Sequence, residues 1–240
     1  MDMQFRIQSI NDLHERCKER VARDNEESVY LPNPVFTDKP KYCLVAMEPS
    51  IRGQTPKEFQ NQVNQGFKNF LCYPADFILH YCAKKFLCHE YYITDISKGA
   101  MKASNAEIGK QKRYENWRSI LQQELDFFGN PKLIAIGGAA EKFLKKEGFP
   151  GEFSVWHFSQ MVSPKYNRYY AEHPEKHHFV ENHTHLKRFA TEILETQKYP
   201  PDMQNKILNR LFNSELKEWH RGMFLYYRDK FSVIGDRAMR

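Results

Sequence analysis

The sequence lacks long apolar runs and paired cysteines, and each absence argues against a class of protein. No apolar stretch approaches the roughly 18 residues that a membrane-spanning helix needs, and the opening residues, MDMQFRIQSI, lack the charged, apolar and small-residue sections of a signal peptide. The 5 cysteines are odd in number and include no C-x-x-C pair, which favours reduced, buried thiols over zinc or iron–sulfur ligands. We therefore expect a cytoplasmic protein that does not span a membrane.

Glycine-rich motifs that bind phosphate are also missing. The pair Gly137 and Gly138 follows an apolar run and allows a tight turn from strand to helix. Its spacing is not G-x-G-x-x-G, however, and no lysine follows where a Walker motif requires one. We predict no cofactor.

The charge excess is small, with 36 Lys and Arg against 30 Asp and Glu, and by itself it does not indicate a polyanionic partner. The basic residues are concentrated in 98–118 and around Lys165 and Arg168, the latter pair in an acid-free stretch rich in tyrosine. Basic residues interleaved with aromatic ones suit contact with phosphates and stacking on bases. An ordinary solvated surface accounts for either patch equally well.

Four short apolar runs alternate with longer segments that have helical periodicity. Strands joined by helical crossovers predict an α/β fold, a three-layer αβα sandwich around a short central parallel four-stranded sheet. The predicted strands are 42–47, 91–96, 132–136 and 153–158, and the helices between them lie near 57–69, 75–86, 112–127 and 139–147.

The chain is expected to divide into three parts. Residues 1–39 hold a helix over about 9–23 and a proline-broken linker, 40–198 form the α/β domain, and 199–240 form a helical extension packed on the core. Within these parts we predict an irregular loop over 159–174, a helix near 175–197 and two helices in 202–231.

Polar residues lie at or just beyond the carboxyl end of each predicted strand, at the sheet edge where open α/β sheets bind their ligands. They are Glu48–Ser50, Asp95, Gly137–Gly138 and His157–Ser159. Each has a structural explanation when taken alone, such as a helix cap for Glu48 or a satisfied core histidine for His157. Their order and spacing favour a common site.

These four segments resemble the motifs of the uracil-DNA glycosylase superfamily, over roughly residues 40–195. Ala46–Ser50 matches a motif of strand, acidic or amide residue, proline and a small or aromatic residue. Ile93–Ser97 stands at the strand end that reads the base, and Leu133–Phe143 matches a strand, glycine turn and helix. His157–Ser159 matches a His-Pro-Ser motif imperfectly, with phenylalanine in place of proline.

The resemblance implies a monofunctional DNA glycosylase, a hydrolase that flips a base out of double-stranded DNA and cleaves its N-glycosidic bond. Glu48 would activate water and stabilise the sugar cation, and His157 would donate a hydrogen bond to the departing base. The motifs place no lysine for a Schiff base, so lyase activity is not expected.

Further positions complete the predicted site. Phe67 or Phe70 would stack on the extruded base, with simple helix packing as the alternative, and loop 159–168 would fill the vacated stack from the minor groove. The predicted base-binding residues are Met47, Ser50, Phe67, Phe70, Asp95 and Ser159. The predicted DNA contacts are Arg52, Lys98, Gly137, Gly138, Gln160, Met161, Lys165, Tyr166 and Arg168.

Two positions bear on the substrate. An ionised Asp95, where an asparagine would suit uracil, accepts hydrogen bonds only and so favours the N4 amine of a cytosine-type base, unless a strongly raised pKa keeps it protonated. Ser50 stands where a bulky tyrosine would exclude a C5 substituent. Excision of ordinary cytosine would be lethal, so we predict a C5-modified cytosine, such as a hypermodified base of viral DNA excised in antiviral defence.

Three alternatives remain open. One is a uracil-DNA glycosylase of base-excision repair, and another is a non-catalytic member of the fold that binds DNA or a protein. A third is a metal site among the histidines of 173–185, although Pro174 interrupts the helical spacing there and no H-E-x-x-H motif is present. We expect no metal, a monomer, and double-stranded DNA with a modified base as the partner.

Overall fold

The computed structural model describes residues 7–24, 28–51, 53–102, 104, 108–213 and 215–238. Arg52, one of the predicted DNA contacts, lies outside these residues. The strands are β1 (Val29–Tyr30), β2 (Tyr42–Ala46), β3 (Tyr91–Asp95), β4 (Gly99–Ala100), β5 (Lys132–Ile136) and β6 (Gly151–Val155). The α-helices are α1 (Ile10–Asp24), α2 (Pro56–Asn64), α3 (Pro74–Cys82), α4 (Lys110–Phe127), α5 (Gly138–Lys146), α6 (Ser163–Glu172), α7 (His183–Thr196), α8 (Pro201–Phe212) and α9 (Glu218–Ala238).

A parallel sheet of four strands, in the order β3–β2–β5–β6, forms the centre of the molecule. All five residues of β2 are buried, as expected for an inner strand covered on both faces. In the register, Ala46 at the end of β2 lies opposite Asp95 at the end of β3. β1 and β4 form a separate antiparallel pair.

Alternate residues of β2 enter two different hydrophobic clusters. Tyr42, Leu44 and Ala46 pack in the cluster that contains α3 and α9, while Cys43 and Val45 pack in the cluster that contains α1, α4 and α5. Helices therefore cover both faces of the sheet, and the predicted three-layer αβα sandwich with a parallel four-stranded sheet is confirmed.

Helix α9, in the C-terminal segment, packs deeply in the first of these clusters. Phe224, Tyr227 and Phe231 are at most 1 % exposed. At Gly222 an added Cβ would lie 2.0 Å from the carbonyl oxygen of Tyr166, so only glycine permits α9 to approach α6 this closely. The C-terminal segment thus supplies part of one helical layer.

Some predicted elements differ from the structure. The predicted loop 159–174 contains a 3₁₀ turn (Gln160–Val162) and α6, whose tyrosines pack against α9. The predicted helix 175–197 is a 3₁₀ turn over Pro174–Phe179 followed by α7, which begins after Asn182 because that side chain caps it. The fourth strand ends at Val155, so His157 lies on a loop.

None of the helices in the part of the chain that the structure describes combines the length and apolarity needed to cross a bilayer.

Candidate functional site

A cavity of about 690 Å³ opens at the carboxyl ends of the parallel strands. Many of the predicted site residues line it, namely Glu48, Ser50, Phe67, Phe70, Asp95, His157, Ser159, Gln160 and Met161. Met47 does not; it lines a separate hollow bordered by Lys110, Lys142 and Lys146. The structure therefore brings Glu48, Asp95 and His157, which the sequence indicated as site residues, into one cavity.

Glu48 follows β2 and is held by Arg113 of α4. The Nε and Nη2 atoms of Arg113 both donate to Oε2 of Glu48, at 3.1 and 2.8 Å. Both side chains are nearly buried, with exposed fractions of 11 % for Glu48 and 10 % for Arg113. Charge-assisted bonds of this kind fix the orientation of a carboxylate more firmly than neutral ones. Sequence reasoning placed Arg113 only in a basic patch.

Asp95 is buried beside Asn69, whose Nδ2 donates to Asp95 Oδ2. Burial raises the pKa of Asp95 to about 7, although the Lys98 charge and the Asn69 hydrogen bond act in the opposite direction. The nearby negative charges of Glu48 and Glu124 raise it further. Near neutral pH the carboxyl therefore exists in both protonation states, and it can donate a hydrogen bond as well as accept one.

Asn69 belongs to a buried polar chain that starts at Asp95. Its Nδ2 also donates to Oδ1 of Asn33 at 3.0 Å, and Nδ2 of Asn33 donates to Oγ1 of Thr94 at 2.9 Å. The hydroxyl of Thr94 in turn donates to Glu124 at 3.0 Å. The chain fixes the Asn69 amide, which makes Asn69 a positioning residue for Asp95 that no local sequence signal indicates.

Lys98 is 2 % exposed and forms an ion pair with Glu124 at 2.7 Å. Its Nζ also donates to the main-chain oxygen of Asp95. The predicted contact between Lys98 and DNA is therefore wrong for this conformation, because the ammonium group is enclosed behind the site and does not reach the surface.

His157 lies on the loop after β6 with a defined tautomer. The main-chain N–H of Ser159 donates to its Nδ1 at 3.0 Å, so in the neutral ring the proton resides on Nε2. The imidazole stacks on Phe158, with ring centroids 4.6 Å apart. The phenylalanine in place of proline in this motif thus supports the histidine ring directly.

Gly137 packs against His157. An added Cβ would lie 3.2 Å from Cβ of His157, and the φ of +88° is one that residues with a side chain rarely adopt. The contact assigns Gly137 a structural role in placing His157, whereas Gly138 begins α5.

Phe67 and Phe70 follow the end of α2 and are buried, and Phe67 packs edge-on against Phe59 of that helix, as the alternative of simple packing expects. Phe70 is 3 % exposed, has a φ of 57° and packs edge-on against Phe158. The main-chain N–H of Phe70 donates to Oδ1 of Asn69, which helps to hold this left-handed backbone conformation.

The predicted DNA contacts in loop 159–168 differ in their exposure. Tyr166 is fully buried and donates to the main-chain oxygen of His157 at 3.0 Å, so its predicted contact with DNA is wrong and it instead anchors the His157 loop. Met161 is 92 % exposed at the rim of the cavity, beside Gln160. Lys165 lies over the ring of Trp156, and Arg168 is exposed.

The C-terminal segment contributes a wall of the cavity that sequence reasoning missed. Its lining residues are Arg210, Leu211, Glu215, Leu216, Lys217, Trp219 and His220. No motif connects them with the strand ends, from which they are separated by more than fifty residues of sequence. The packing of α8 and α9 on the core brings them there.

The histidines of 173–185 are engaged with neighbouring groups. His177 stacks on Tyr170 with ring centroids 3.6 Å apart, and His185 lies 2.7 Å from a carboxylate oxygen of Glu181. In the described ranges, no group of three or more His, Cys, Asp or Glu side chains is placed to hold a metal ion.

Neither a protein-family model nor a curated protein sequence matches this chain. The functional assignment therefore depends on the cavity and on the side chains that line it.

Proposed function

We propose that the protein is a monofunctional DNA glycosylase that hydrolyses the N-glycosidic bond of a base flipped into the cavity. The observation that carries the proposal is the meeting of Glu48, Asp95 and His157 in one cavity at the carboxyl ends of the parallel strands. An oriented carboxylate, a hydrogen-bond donor and a second carboxyl for the base edge are the groups that this reaction needs.

Glu48 is the proposed general base. Its Oε2 is occupied by Arg113, so Oε1 is the oxygen that would accept a proton from water. The water oxygen bonds to C1′ of the sugar while the bond from C1′ to the base nitrogen breaks, and the bonding electrons leave with the base. The carboxylate also stabilises the positive charge that develops on the sugar.

His157 is the proposed donor to the base. Because Nδ1 accepts from Ser159, the Nε2–H group of the neutral ring can donate to a carbonyl oxygen of the departing base, where negative charge accumulates. The contacts from Gly137 and Tyr166 hold the ring and its loop in place before DNA binds. Such preorganisation stabilises the transition state without reorganisation during the reaction.

Asp95 and Ser50 are the residues proposed to select the base. Ser50 is small and leaves room beside C5 of a pyrimidine. An ionised Asp95 would accept from the N4 amine of a cytosine-type base, which supports a C5-modified cytosine as substrate and, with it, a role in defence against viral DNA in the cytoplasm. The raised pKa of Asp95 also supports uracil, because the protonated carboxyl donates to O4.

The experiment is a release assay with a panel of otherwise identical duplexes. They contain uracil, 5-methylcytosine, 5-hydroxymethylcytosine or glucosylated 5-hydroxymethylcytosine, and the free base is identified by mass spectrometry. We expect the protein to release at least one of these bases and to leave an abasic site in the duplex. Release of uracil alone would overturn the modified-cytosine assignment, and tight DNA binding without any release would favour a non-catalytic binding protein.

A further inference from the structure

The cavity has two walls of different origin. The strand ends and the His157 loop form one wall, and the segment 210–220, between the end of α8 and the start of α9, forms the other. A volume of about 690 Å³ falls in the range of roughly 300–1,000 Å³ that encloses drug-sized ligands, which are larger than a bare pyrimidine ring. A flipped base would therefore leave part of the cavity unfilled, and the wall formed by residues 210–220 borders that part.

His220 provides a neutral donor in this wall. It is 7 % exposed, and its Nδ1 accepts from the main-chain N–H of Lys217 at 3.3 Å, so the ring proton resides on Nε2. Burial, assisted by the charge of Lys217, lowers the pKa of His220 to about 4. At neutral pH the ring is uncharged and suits a neutral oxygen acceptor better than a phosphate.

Trp219 provides an aromatic surface in the same wall. Its ring lies against His220, with centroids 3.9 Å apart. The indole Nε1 is buried and has no hydrogen-bond partner among the described residues. Tryptophan commonly combines an apolar face with a hydrogen bond at one edge, and a buried donor that lacks a partner is uncommon.

The charges in this wall lie at its solvent-facing edge and are of both signs. Arg210 and Lys217 are exposed, and Glu215 is exposed beside them. A carboxylate in the same rim weakens the attraction of the two cations for a phosphate. An aromatic surface and a neutral donor inside, with mixed charges at the rim, suit a neutral group that carries several hydroxyls.

We propose that residues 210–220 form a second subsite of the cavity, which binds a hydroxyl-bearing, sugar-like substituent attached to the flipped base. The inference rests on the proposed glycosylase function and specifies the class of its substrate. Trp219 would stack on the apolar face of the substituent, and His220 would donate from Nε2 to one of its hydroxyl oxygens.

The test compares Trp219→Phe, His220→Phe and Lys217→Ala with the wild-type protein on the glucosylated and the unglucosylated duplexes. Trp219→Phe keeps one aromatic ring but removes the fused second ring of the indole together with its N–H group. For His220→Phe we expect kcat/KM to fall about tenfold more for the glucosylated base than for 5-hydroxymethylcytosine, the loss that follows from one unmade hydrogen bond in a buried site. For Trp219→Phe we expect a loss in the same direction, because the stacking surface is smaller. Lys217→Ala tests for a phosphate contact at the rim. Glu218→Ala, an exposed neighbour that does not line the cavity, is the matched control.

The outcomes separate the two proposals. Equal losses on every duplex, combined with a shallower dependence of binding on salt, would show a phosphate contact and overturn the subsite while leaving the glycosylase intact. Trp219 and His220 variants that are indistinguishable from Glu218→Ala overturn the subsite as well. A wild-type protein that releases no base from any duplex overturns both proposals. Thermal melting of each variant identifies losses of activity that come from unfolding. Because Lys217 is exposed, Lys217→Ala is the variant in which unfolding is least expected.

Discussion

Arg113 donates from Nε and Nη2 to a single oxygen of Glu48, Oε2, at 3.1 and 2.8 Å. The two residues are 65 positions apart in the sequence and meet because α4 packs against the sheet near the end of β2. Neither bond involves Oε1, the oxygen that the proposed mechanism assigns to the attacking water. Arg113 is therefore expected to act through Glu48, as a positioning residue.

Replacement of Arg113 tests this relationship. We expect Arg113→Ala to lower kcat by about 100-fold, because a misplaced catalytic group has effects of this order, with little change in the KM for DNA. Arg113→Lys retains the charge but not the two donors, and it should recover only part of the rate. Single-turnover kinetics measure both. Arg118→Ala, on the same helix and 49 % exposed, is the control, and an equal effect of that variant would contradict the role of Arg113.

The protonation of Asp95 predicts a substrate preference that changes with pH. Since burial raises its pKa to about 7, the carboxyl is mostly protonated at pH 6 and mostly ionised at pH 8. The ratio of protonated to ionised carboxyl falls about 100-fold between these values, so release of uracil relative to a cytosine-type base should fall by at least about tenfold, as the donor to O4 is lost. The charges that face Asp95 are those of Lys98, Glu48 and Glu124.

Asp95→Asn is the control for this pH dependence, because its amide does not titrate. The variant should keep one ratio of uracil to cytosine-type release from pH 6 to pH 8. A ratio that shifts with pH in the variant as strongly as in the wild-type protein would assign the titration to another group.

Alanine substitutions at Gly137 and Gly148 test whether Gly137 positions His157. Both have positive φ, of +88° and +75°, but an added Cβ contacts His157 only at Gly137 and meets nothing within 4 Å at Gly148. Alanine at Gly148 should cost about 1–2 kcal/mol of unfolding free energy from the backbone conformation. Alanine at Gly137 should cost more, up to about 3 kcal/mol, because its φ of 88° with a ψ of 152° lies in a region that is essentially restricted to glycine. Only Gly137→Ala should also slow base release, because it displaces the histidine. Urea denaturation and single-turnover rates distinguish the two effects, and equal rates for the two variants would argue against the packing role.

Lys98 is expected to act on stability rather than on DNA affinity. Lys98→Met leaves Glu124 buried without its cation, a change that costs about 3–5 kcal/mol in comparable pairs. Lys102→Met, an exposed residue of the same basic stretch, should leave the unfolding free energy nearly unchanged. Urea denaturation measures the unfolding free energy of both variants. If Lys98→Met had normal stability and a reduced salt dependence of DNA binding, Lys98 would be a DNA contact after all.

The fold was predictable because its main signal is local. Continuous apolar runs such as Tyr42–Ala46 indicate strands buried on both faces, and the helical periods between them indicate parallel connections. Helix α6 was not predicted, since its tyrosines read as a basic aromatic loop until α9 is present to bury them. The sequence contains no signal that places α9 against that face.

The candidate site was predictable only where a residue stands at a strand end. Glu48 and Asp95 come directly after apolar runs, so the sheet edge brings them together. Asn69 and Arg113 reach the same place from other elements, through contacts that depend on tertiary packing. Lys98 was predicted to be exposed and to contact DNA. In the structure it is buried and forms an ion pair with Glu124, 26 residues away.

The most direct test of the central claim is the rate of abasic-site formation by the wild-type protein and by Glu48→Gln, measured under single-turnover conditions on the best substrate of the panel. The account predicts a rate reduced by about 10²–10⁴ in the variant, the usual contribution of a general base, with DNA affinity retained. An equal rate in the two proteins would contradict it, as would a wild-type protein that forms no abasic site with any base.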